Sequence, residues 1–406
     1  MTTVTQTPTR EVLPPPSERK TISAWLRRNL FSNWFNALLT ILAAVIIFWL
    51  VRGLTNWALH TAEWDVIPAN WNLLMRGQYP AAMAWRLWIC IYLAAAVVGL
   101  SWGAWGRSVS ITMLVVFAIP LLLMLLPWLS ARARLDLLIT EAALIGAFAV
   151  ARFVPLPNMS RIAAAAWALF FLAIIFIIRG FGADTGPWTV VPSNLWGGLL
   201  LSLLLAFVGI LFSFPLGVLL ALGRQSKLPA IKLLSVIYIE FIRGVPLISL
   251  LFMAQVMLQL FLPASMPPVD RVLRAMVAII LFSAAYTAEN VRGGLQSIPK
   301  GQNEAAQALG LNSFQAMTRI ILPQALRAVI PVLVGQFIGL FKDTSLVALV
   351  GLFDLLGIAR SILANPSWLG RYQEVFVVVA LIYWIFSFSM SYASRHLETA
   401  TGVGER

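Results

Sequence analysis

The sequence has little charge and few of the residues that build metal sites or disulfides. Only 11% of its 406 residues are Asp, Glu, Lys or Arg, whereas soluble domains carry about 25%. There is one cysteine, Cys90, and there are two histidines, His60 and His396, in unrelated segments. An intrachain disulfide and a His/Cys metal cluster are therefore excluded. A water-soluble globular protein is excluded too, because so few charged residues cannot cover its surface.

Apolar residues are abundant instead, at 60% of the chain, and the mean hydropathy is +0.86. A helix that crosses a bilayer needs about 20 apolar residues, and the runs of that kind predict an all-α integral membrane protein of about ten transmembrane helices. The fourth span is the weakest, because Glu141 interrupts it; we expect Glu141 near a helix end. Gly244 and Pro246 should break the seventh. The spans are expected at about 35–51, 85–103, 109–129, 136–153, 162–178, 195–222, 230–262, 272–291, 330–350 and 373–394.

Basic residues outnumber acidic ones by 29 to 16, and their positions predict the orientation. Such an excess is typical of cytoplasmic loops held against anionic lipid, and this interpretation is favoured over nucleic-acid binding. Basic residues precede the first span and occupy the connections around 224–232 and 292–327. Both termini are therefore expected in the cytoplasm. Residues 1–32 lack the short apolar core of a signal peptide.

The polar stretch 295–325 is the most informative segment. Ser297, or a residue beside it, should cap a helix that runs to Leu309, and Gly310 can take the positive φ that ends it. A second short helix should follow, capped by Asn312 or Ser313. Ala305, Ala306 and Leu309 are small or apolar, so the first helix can enter a groove on a partner protein, and Glu304 can meet a cationic residue at the rim of that groove. The alternative is a helix lying on the bilayer, which usually carries more Lys and Arg than Lys300 alone.

This stretch resembles the EAA loop of permease subunits of binding-protein-dependent ABC importers. Four further segments, in order, resemble the polar amino-acid branch of that family, and the resemblance covers about 190–396. The long extension before it is similar to the long permease subunit of general L-amino-acid importers. The segments are Glu304-Ala305-Ala306 with Gly310, Glu240-Phe241-Ile242-Arg243-Gly244-Val245-Pro246-Leu247, Tyr286-Thr287-Ala288-Glu289-Asn290-Val291-Arg292-Gly293-Gly294, Leu322-Pro323-Gln324-Ala325 and Lys342-Asp343-Thr344-Ser345-Leu346.

The resemblance implies an organisation and a set of partners. The C-terminal five helices should form a type I ABC importer permease core at 186–396, with the coupling loop at 295–325. The remainder would be a cytoplasmic tail at 1–34, extra transmembrane helices at 35–185 and a second cytoplasmic tail at 397–406. The implied partners are an ATPase dimer, a second permease subunit that we expect to be a different chain, and a periplasmic solute-binding protein. The implied location is the bacterial inner membrane.

The resemblance also implies that the coupling helix Glu304, Ala305, Ala306, Leu309 and Gly310 docks on the ATPase. The chain contains no Gly-Lys dipeptide and so has no Walker A loop. ATP and Mg²⁺ are therefore expected on the partner, with no cofactor, metal or catalytic residue in this chain.

Charged and polar residues inside the expected spans are the second informative feature, because each charge there is costly. Gln336, Gly339 and Asp343 share one helix face, and with Lys342 and Tyr286 they are candidates for lining the translocation pathway. A structural ion pair is the alternative for Lys342 and Asp343. Two further pairs, Glu289 with Arg292 and Glu240 with Arg243, have the i, i+3 spacing of local salt bridges.

Three functional hypotheses follow. The first is a permease subunit that translocates L-amino acids delivered by a solute-binding protein, driven by ATP hydrolysis elsewhere. The second is a stand-alone ion-coupled secondary transporter that uses Lys342 and Asp343 as a relay. The third is an intramembrane enzyme, which lacks paired carboxylates at useful spacing and any nucleophile beside a histidine.

Overall fold

A computed structural model describes residues 21–401, apart from 107–110, 126, 128, 155–156, 183–185 and 264. Residues 1–20 and 402–406, which belong to the expected cytoplasmic tails at 1–34 and 397–406, lie outside the described part. Within the described part there is no β-strand, and two isolated bridges join Gly182 to Thr189 and Gly198 to Asp354. The chain divides after Glu63 into two compact units.

The first unit contains a short helix and a long apolar one. Helix α1 covers Ile22–Asn29 and α2 covers Trp34–Asn56, followed by a π-helical turn at Trp57–Thr61. No residue of α2 is buried. A helix that is apolar all round and has its whole circumference exposed suits a lipid environment.

The second unit begins with five helices that precede the region of resemblance. Two of them, α4 and α6, pack closely because Gly99 and Gly103 leave room for the backbone at Leu144 and Phe148, as small residues do between membrane helices. Glu141 lies in the middle of α6 and is 7% exposed, so the expectation of a helix-end position was wrong. The bounds are α3 Val66–Arg76, α4 Trp85–Trp105, α5 Ile111–Leu123, α6 Ala131–Phe153 and α7 Met159–Arg179.

The remaining helices form the C-terminal half of the second unit. A π-helical turn joins α10 to α11, another joins α14 to α15, and a 3-10 turn at Thr344–Val350 follows α15. The bounds are α8 Gly198–Arg224, α9 Pro229–Gly244, α10 Leu247–Phe252, α11 Leu258–Phe261, α12 Arg271–Ser297, α13 Lys300–Ala308, α14 Ser313–Ala316, α15 Leu322–Asp343, α16 Leu355–Leu363 and α17 Tyr372–Thr401.

Seven helices in the described residues are long and apolar enough to cross a membrane, or eight if the bent pair Pro229–Gly244 and Leu247–Phe261 is one span. The expected count of about ten is thus not confirmed. The two missing spans correspond to α5, which has 13 residues, and to α6, whose 23 residues include five charged ones. The bend of 104° between α9 and α10 confirms the break expected at Gly244 and Pro246.

Helices α8 and α12 are the central pair of the C-terminal half. Gly209 lies beside Ile279, and Gly217 lies beside Thr287, so the contact advances equally along both helices and they run parallel. At Gly217 an added Cβ would stand 2.9 Å from the Ala284 carbonyl oxygen. Only glycine allows this approach. The Arg224 end of α8 therefore lies beside the end of α12 that leads into α13.

Candidate functional site: the loop after α12 and the charged cluster beside it

The helix of the predicted coupling loop starts later than expected. Ser297 belongs to the last turn of α12, where its hydroxyl donates to the Gly294 carbonyl at 2.8 Å. It caps no helix, so that prediction was wrong. Pro299 instead precedes α13 in an extended conformation, a position in which the missing N–H of proline costs nothing. The short link fixes α13 directly to the end of α12.

Gly310 ends α13 in the way the sequence predicts. Its φ is +77°, a left-handed conformation that strains any residue with a Cβ. The amide of Gly310 donates to Gln307 O at 2.9 Å, and that of Leu311 donates to Ala306 O at 3.1 Å. These two bonds form a Schellman motif. The turn after α13 is thus held by backbone hydrogen bonds.

The second helix of the loop is not a separate short helix, contrary to expectation. Asn312 caps α14 through a capping box with Gln315, with bonds of 2.9 and 3.1 Å. The helix then passes through the π-helical turn at Met317–Ile321 directly into α15. The Gly310 turn is therefore connected through α13 to α12 on one side and through α14 to α15 on the other.

Four of the five predicted docking residues lie on the surface. Glu304, Ala305, Leu309 and Gly310 are exposed, but Ala306 is 3% exposed, so a surface role for Ala306 was wrong. Leu309 is 81% exposed and Phe314, on the other side of the turn, is 76% exposed. Large exposed apolar side chains beside an ordered turn are typical of a surface that a partner covers. Met317 and Ile321, further along the same helix, pack inward against the core.

A cluster of five charged side chains joins three helices beside this loop. Arg224 of α8 lies 2.8 Å from Glu240 of α9 and 3.5 Å from Glu289 of α12. Arg243 of α9 lies 3.8 Å from Glu289. Glu289 also pairs with Arg292, whose Nε donates to it at 3.0 Å. Glu289 is therefore the one carboxylate in the cluster that touches arginines from all three helices.

The pairing differs from the sequence prediction in one respect. Glu289 and Arg292 form the expected i, i+3 pair. Glu240 and Arg243 do not pair with each other, because each faces another helix: Glu240 bonds to Arg224, and Arg243 approaches Glu289. The cluster is a set of links between helices, and these depend on how α8, α9 and α12 pack.

Tyr286 lies one turn before Glu289 and is tied to the same cluster. The Arg243 guanidinium stands 5.6 Å from the centre of its ring, at a distance where cation–π attraction operates. The centre of the Phe282 ring lies 4.9 Å from that of the Tyr286 ring. Tyr286 is 36% exposed, so part of its side chain remains accessible.

Gln336, one of the predicted pathway residues, makes hydrogen bonds to other residues of this chain through both atoms of its side-chain amide. Its oxygen accepts from Asn290 at 2.6 Å, and its nitrogen donates to Ser283 O and to Thr287 Oγ1, each at 2.9 Å. All these partners lie on α12, so the amide joins α15 to α12. This arrangement fits helix packing and leaves little of the amide for a solute.

Lys342 and Asp343 lie at the end of α15. The chain continues from them into the 3-10 turn at Thr344–Val350, within a continuous helical stretch Ser313–Val350 that is long and apolar enough to cross a membrane. Lys342 is exposed and Asp343 half-buried. A Cβ added at Gly339 would meet nothing within 4 Å, so this part of α15 borders open space.

The sequence interpretation missed Asp354, which lies in the connection between α15 and α16. It is fully buried, and it caps α16 by accepting from the amides of Leu356 at 3.1 Å and Gly357 at 2.9 Å. The Tyr383 hydroxyl of α17 donates to it at 3.2 Å. Burial raises the pKa of Asp354 to about 6. An aspartate immediately before an apolar helical run is an N-cap signal, so the capping role of Asp354 was predictable from the sequence.

Arg86 was also missed, and no local signal marks it. It is fully buried at the start of α4. Its Nη2 donates to the carbonyls of Pro187 at 2.7 Å and Thr189 at 2.8 Å, and the Trp188 ring lies 5.6 Å from the guanidinium. These contacts hold the segment before α8 against α4.

The described residues contain no group of three or more His, Cys, Asp and Glu side chains that could hold a metal ion. The arrangement is an ordered turn with exposed apolar residues, connected through α13 and α12 to a charged junction of α8, α9 and α12.

The chain is similar to known membrane components of transport systems. The family model described as "Binding-protein-dependent transport system inner membrane component" matches residues 213–403. The inner membrane amino-acid ABC transporter permease protein YhdY of Escherichia coli (strain K12) is 42% identical over 94% of this chain and 93% of its own. The glutamate/glutamine/aspartate/asparagine transport system permease protein BztC of Rhodobacter capsulatus is 39% identical over 96% of each chain.

One solved structure, an amino acid ABC transporter crystallised with histidines, is 32% identical. It covers 50% of this chain and 92% of its own, with a TM-score of 0.44.

Proposed function

The chain belongs to the family of inner membrane components of binding-protein-dependent transport systems, and from this we propose that it is the permease subunit of an ATP-driven L-amino-acid importer. The observation that carries the proposal is 42% identity to an amino-acid ABC transporter permease over nearly the whole of both chains. The ordered turn at Gly310 supports it, because an ATP-driven permease needs a rigid contact through which a partner can act.

A permease component of this family is not itself an enzyme, and ATP is hydrolysed on a separate ATPase subunit. We place ATP and Mg²⁺ on that subunit and a delivering solute-binding protein on the opposite side of the membrane. The chain is a multi-pass inner membrane protein, and both termini are proposed to be cytoplasmic.

The proposed ATPase contact is the tip formed by Glu304, Ala305, Leu309 and Gly310, to which the structure adds Phe314. Exposed Leu309 and Phe314 supply apolar area on either side of the turn. Motion of the ATPase dimer would then move α12 and α15 together. Nucleotide drives transport in this scheme because it binds differently to the inward-facing and outward-facing states.

The proposed translocation pathway runs along the open faces of α12 and α15. Tyr286, Gly339, Lys342 and Asp343 remain candidates for lining it, and Gln336 is assigned to holding the two helices together. The cluster around Glu289 would then close the pathway near its cytoplasmic end, because breaking it lets α8, α9 and α12 move apart.

The proposed organisation is a five-helix type I core at 186–396 and extra helices at 35–185. The core would pair with a second permease chain, for which we favour an unlike subunit. A stand-alone ion-coupled transporter is not favoured, because it would have no use for the exposed turn at Gly310.

The testing experiment compares uptake by this chain alone with uptake by the assembled complex. Each is reconstituted in liposomes with radiolabelled L-amino acids, with and without ATP on the ATPase side. We expect uptake only when the partner permease, ATPase and solute-binding protein are all present and ATP is supplied. Gradient-driven uptake by the isolated chain would overturn the proposal and favour the secondary transporter.

A further inference from the structure

The first unit begins with a helix whose two faces differ sharply. On α1, Ile22, Trp25 and Leu26 fall at i, i+3 and i+4, which places them on one side. They are 80%, 49% and 37% exposed. Arg27 and Arg28 follow in the last turn and, at 100° per residue, point to the opposite side. Such a helix does not bury its apolar face within its own unit.

The link between α1 and α2 is held by hydrogen bonds. The Thr40 hydroxyl donates to the Leu30 carbonyl at 2.8 Å. Asn33 caps α2 by accepting from the Asn36 amide at 2.8 Å, and the Asn36 side chain donates to Ser32 at 2.7 Å. The position of α1 relative to α2 is therefore fixed by contacts rather than left to a free tail.

The length of α2 decides where α1 lies relative to a bilayer. The continuous helix Trp34–Thr61 has 28 residues, or about 42 Å, against about 30 Å of hydrocarbon. Several residues at its ends must therefore lie in the headgroup layers. Leu30 is bonded to Thr40, about 9 Å along α2 from Trp34, so the end of α1 lies at the boundary of hydrocarbon and headgroups.

The charge of this segment identifies the kind of lipid. Between Arg19 and Ala62 the sequence contains no aspartate or glutamate, so no carboxylate close in sequence neutralises Arg27 and Arg28. Anionic phospholipid headgroups attract such residues, at about 1 kcal/mol for each basic residue near the surface. Exposed Trp34, at 79%, adds an aromatic anchor of the type found at interfaces.

We propose that α1 is an interfacial anchor that lies in the cytoplasmic leaflet, with Ile22, Trp25 and Leu26 in the lipid and Arg27 and Arg28 on anionic phospholipid headgroups. The choice of leaflet rests on the proposed cytoplasmic N-terminus. The anchor itself does not depend on transport, so its test uses no uptake measurement.

The test uses spin labels on the full chain in nanodiscs. In a Cys90→Ala background, single labels are placed at Leu26→Cys on the apolar face and at Ala24→Cys, the matched control on the polar face. Power saturation compares exposure to oxygen, which enters lipid, with exposure to a water-soluble nickel chelate. In nanodiscs with about 30 mol% phosphatidylglycerol, the Leu26 label should favour oxygen and the Ala24 label the chelate. A label at Ile22→Cys should match the Leu26 label, which guards against a local effect of one substitution.

The headgroup contact is tested by removing both charges, Arg27→Gln with Arg28→Gln. Loss of the two arginines should lower the ratio of inserted to detached helix about 30-fold. This ratio is measured from the two components of the spin-label spectrum. Replacing phosphatidylglycerol with phosphatidylcholine should give a shift in the same direction. The proposal would be overturned if the labels on both faces were equally exposed to the chelate, or if both were shielded from both reagents. It would also be overturned if the ratio of inserted to detached helix were identical in the two lipids.

Discussion

The Arg224 guanidinium lies 2.8 Å from Glu240 and 3.5 Å from Glu289 through the same nitrogen. One arginine at the end of α8 thus joins α9 to α12. Glu240 is 53% exposed and Glu289 is 22% exposed, so water screens the first contact more than the second. The two carboxylates share a partner but should contribute differently.

Replacing the central carboxylate, Glu289→Gln, should weaken the junction. Three arginines would lose their common partner, and we expect a loss of about 1–2 kcal/mol in unfolding free energy, between the values for exposed and for buried pairs. In the complex, ATP hydrolysis should continue while uptake per ATP falls, because the proposed closure is loosened. Thermal unfolding and the ratio of uptake to hydrolysis measure the two effects.

Glu240→Gln is the matched control for that variant. It removes one exposed partner of Arg224 and leaves Glu289 in place, so the stability change should stay below about 1 kcal/mol. Equal effects from the two variants would contradict the central role of Glu289.

The turn after α13 can be tested with two glycines of the same loop. Gly310→Ala forces a Cβ into a left-handed conformation and should cost about 1–2 kcal/mol. Gly301 lies inside α13, where an added Cβ meets nothing within 4 Å. Gly301→Ala should therefore stabilise the helix by about 0.5–1 kcal/mol. We expect Gly310→Ala to lower uptake with insertion unchanged, and Gly301→Ala to retain it. Uptake assays on matched amounts of inserted protein decide, and normal uptake by both variants would contradict the proposed coupling.

The approach of α8 to α12 makes a prediction about stability. In Gly217→Ala the new Cβ would stand 2.9 Å from the Ala284 carbonyl oxygen and close to Thr287, and overpacking of this kind costs about 1–3 kcal/mol. Gly293→Ala, on α12 with open space around it, is the control and should be neutral or slightly stabilising. The measurement is the thermal midpoint of each purified variant in the same detergent. A Gly217→Ala midpoint equal to that of the parent would show that the helices are further apart.

Asp354 should give the protein a pH-dependent stability. Burial raises its pKa from 3.8 to about 6, so between these values the folded state binds the proton and the unfolded state does not. The contribution of this group to stability is therefore greatest below about pH 4 and declines as the pH rises to about 6, in total by about 3 kcal/mol. Asp354→Asn keeps a capping oxygen and removes the charge, so its curve should lack this decline. The thermal midpoint of the variant minus that of the parent should therefore rise between pH 4 and pH 7. A constant difference would contradict the shifted pKa.

The sequence predicted those features of the candidate site that depend on neighbouring residues. Gly310 ends α13 because the residues before it favour helix and it alone tolerates the left-handed turn. The break at Gly244 and Pro246 follows from the lost amide donor and the ring of proline. The direction of Ala306 could not be predicted in this way, because its burial depends on where α13 lies against the rest of the chain.

The same distinction applies to the charged residues. Spacing alone pointed to a Glu240–Arg243 pair, and the correct partners belong to other helices. Gln336 was a candidate for the pathway until its bonds to α12 were known. Arg86 was missed because nothing in the adjacent sequence shows that it is buried. Asp354 was missed although its place directly before α16 predicts a helix cap; its burial depends on distant residues.

The amino-acid sequence by itself determined that this is a helical membrane protein, where its helices break and turn, and that it resembles an ABC importer permease. These properties follow from composition, local conformational preference and motif spacing, which are all written along the chain. Only the tertiary structure decided that Glu289 joins three helices, that Ala306 is buried and that Leu309 and Phe314 are exposed at the Gly310 turn. Those outcomes depend on which residues, far apart in the sequence, lie close together in the folded chain. Electrostatic attraction and burial depend on the distance between residues in space, not on their separation in the sequence.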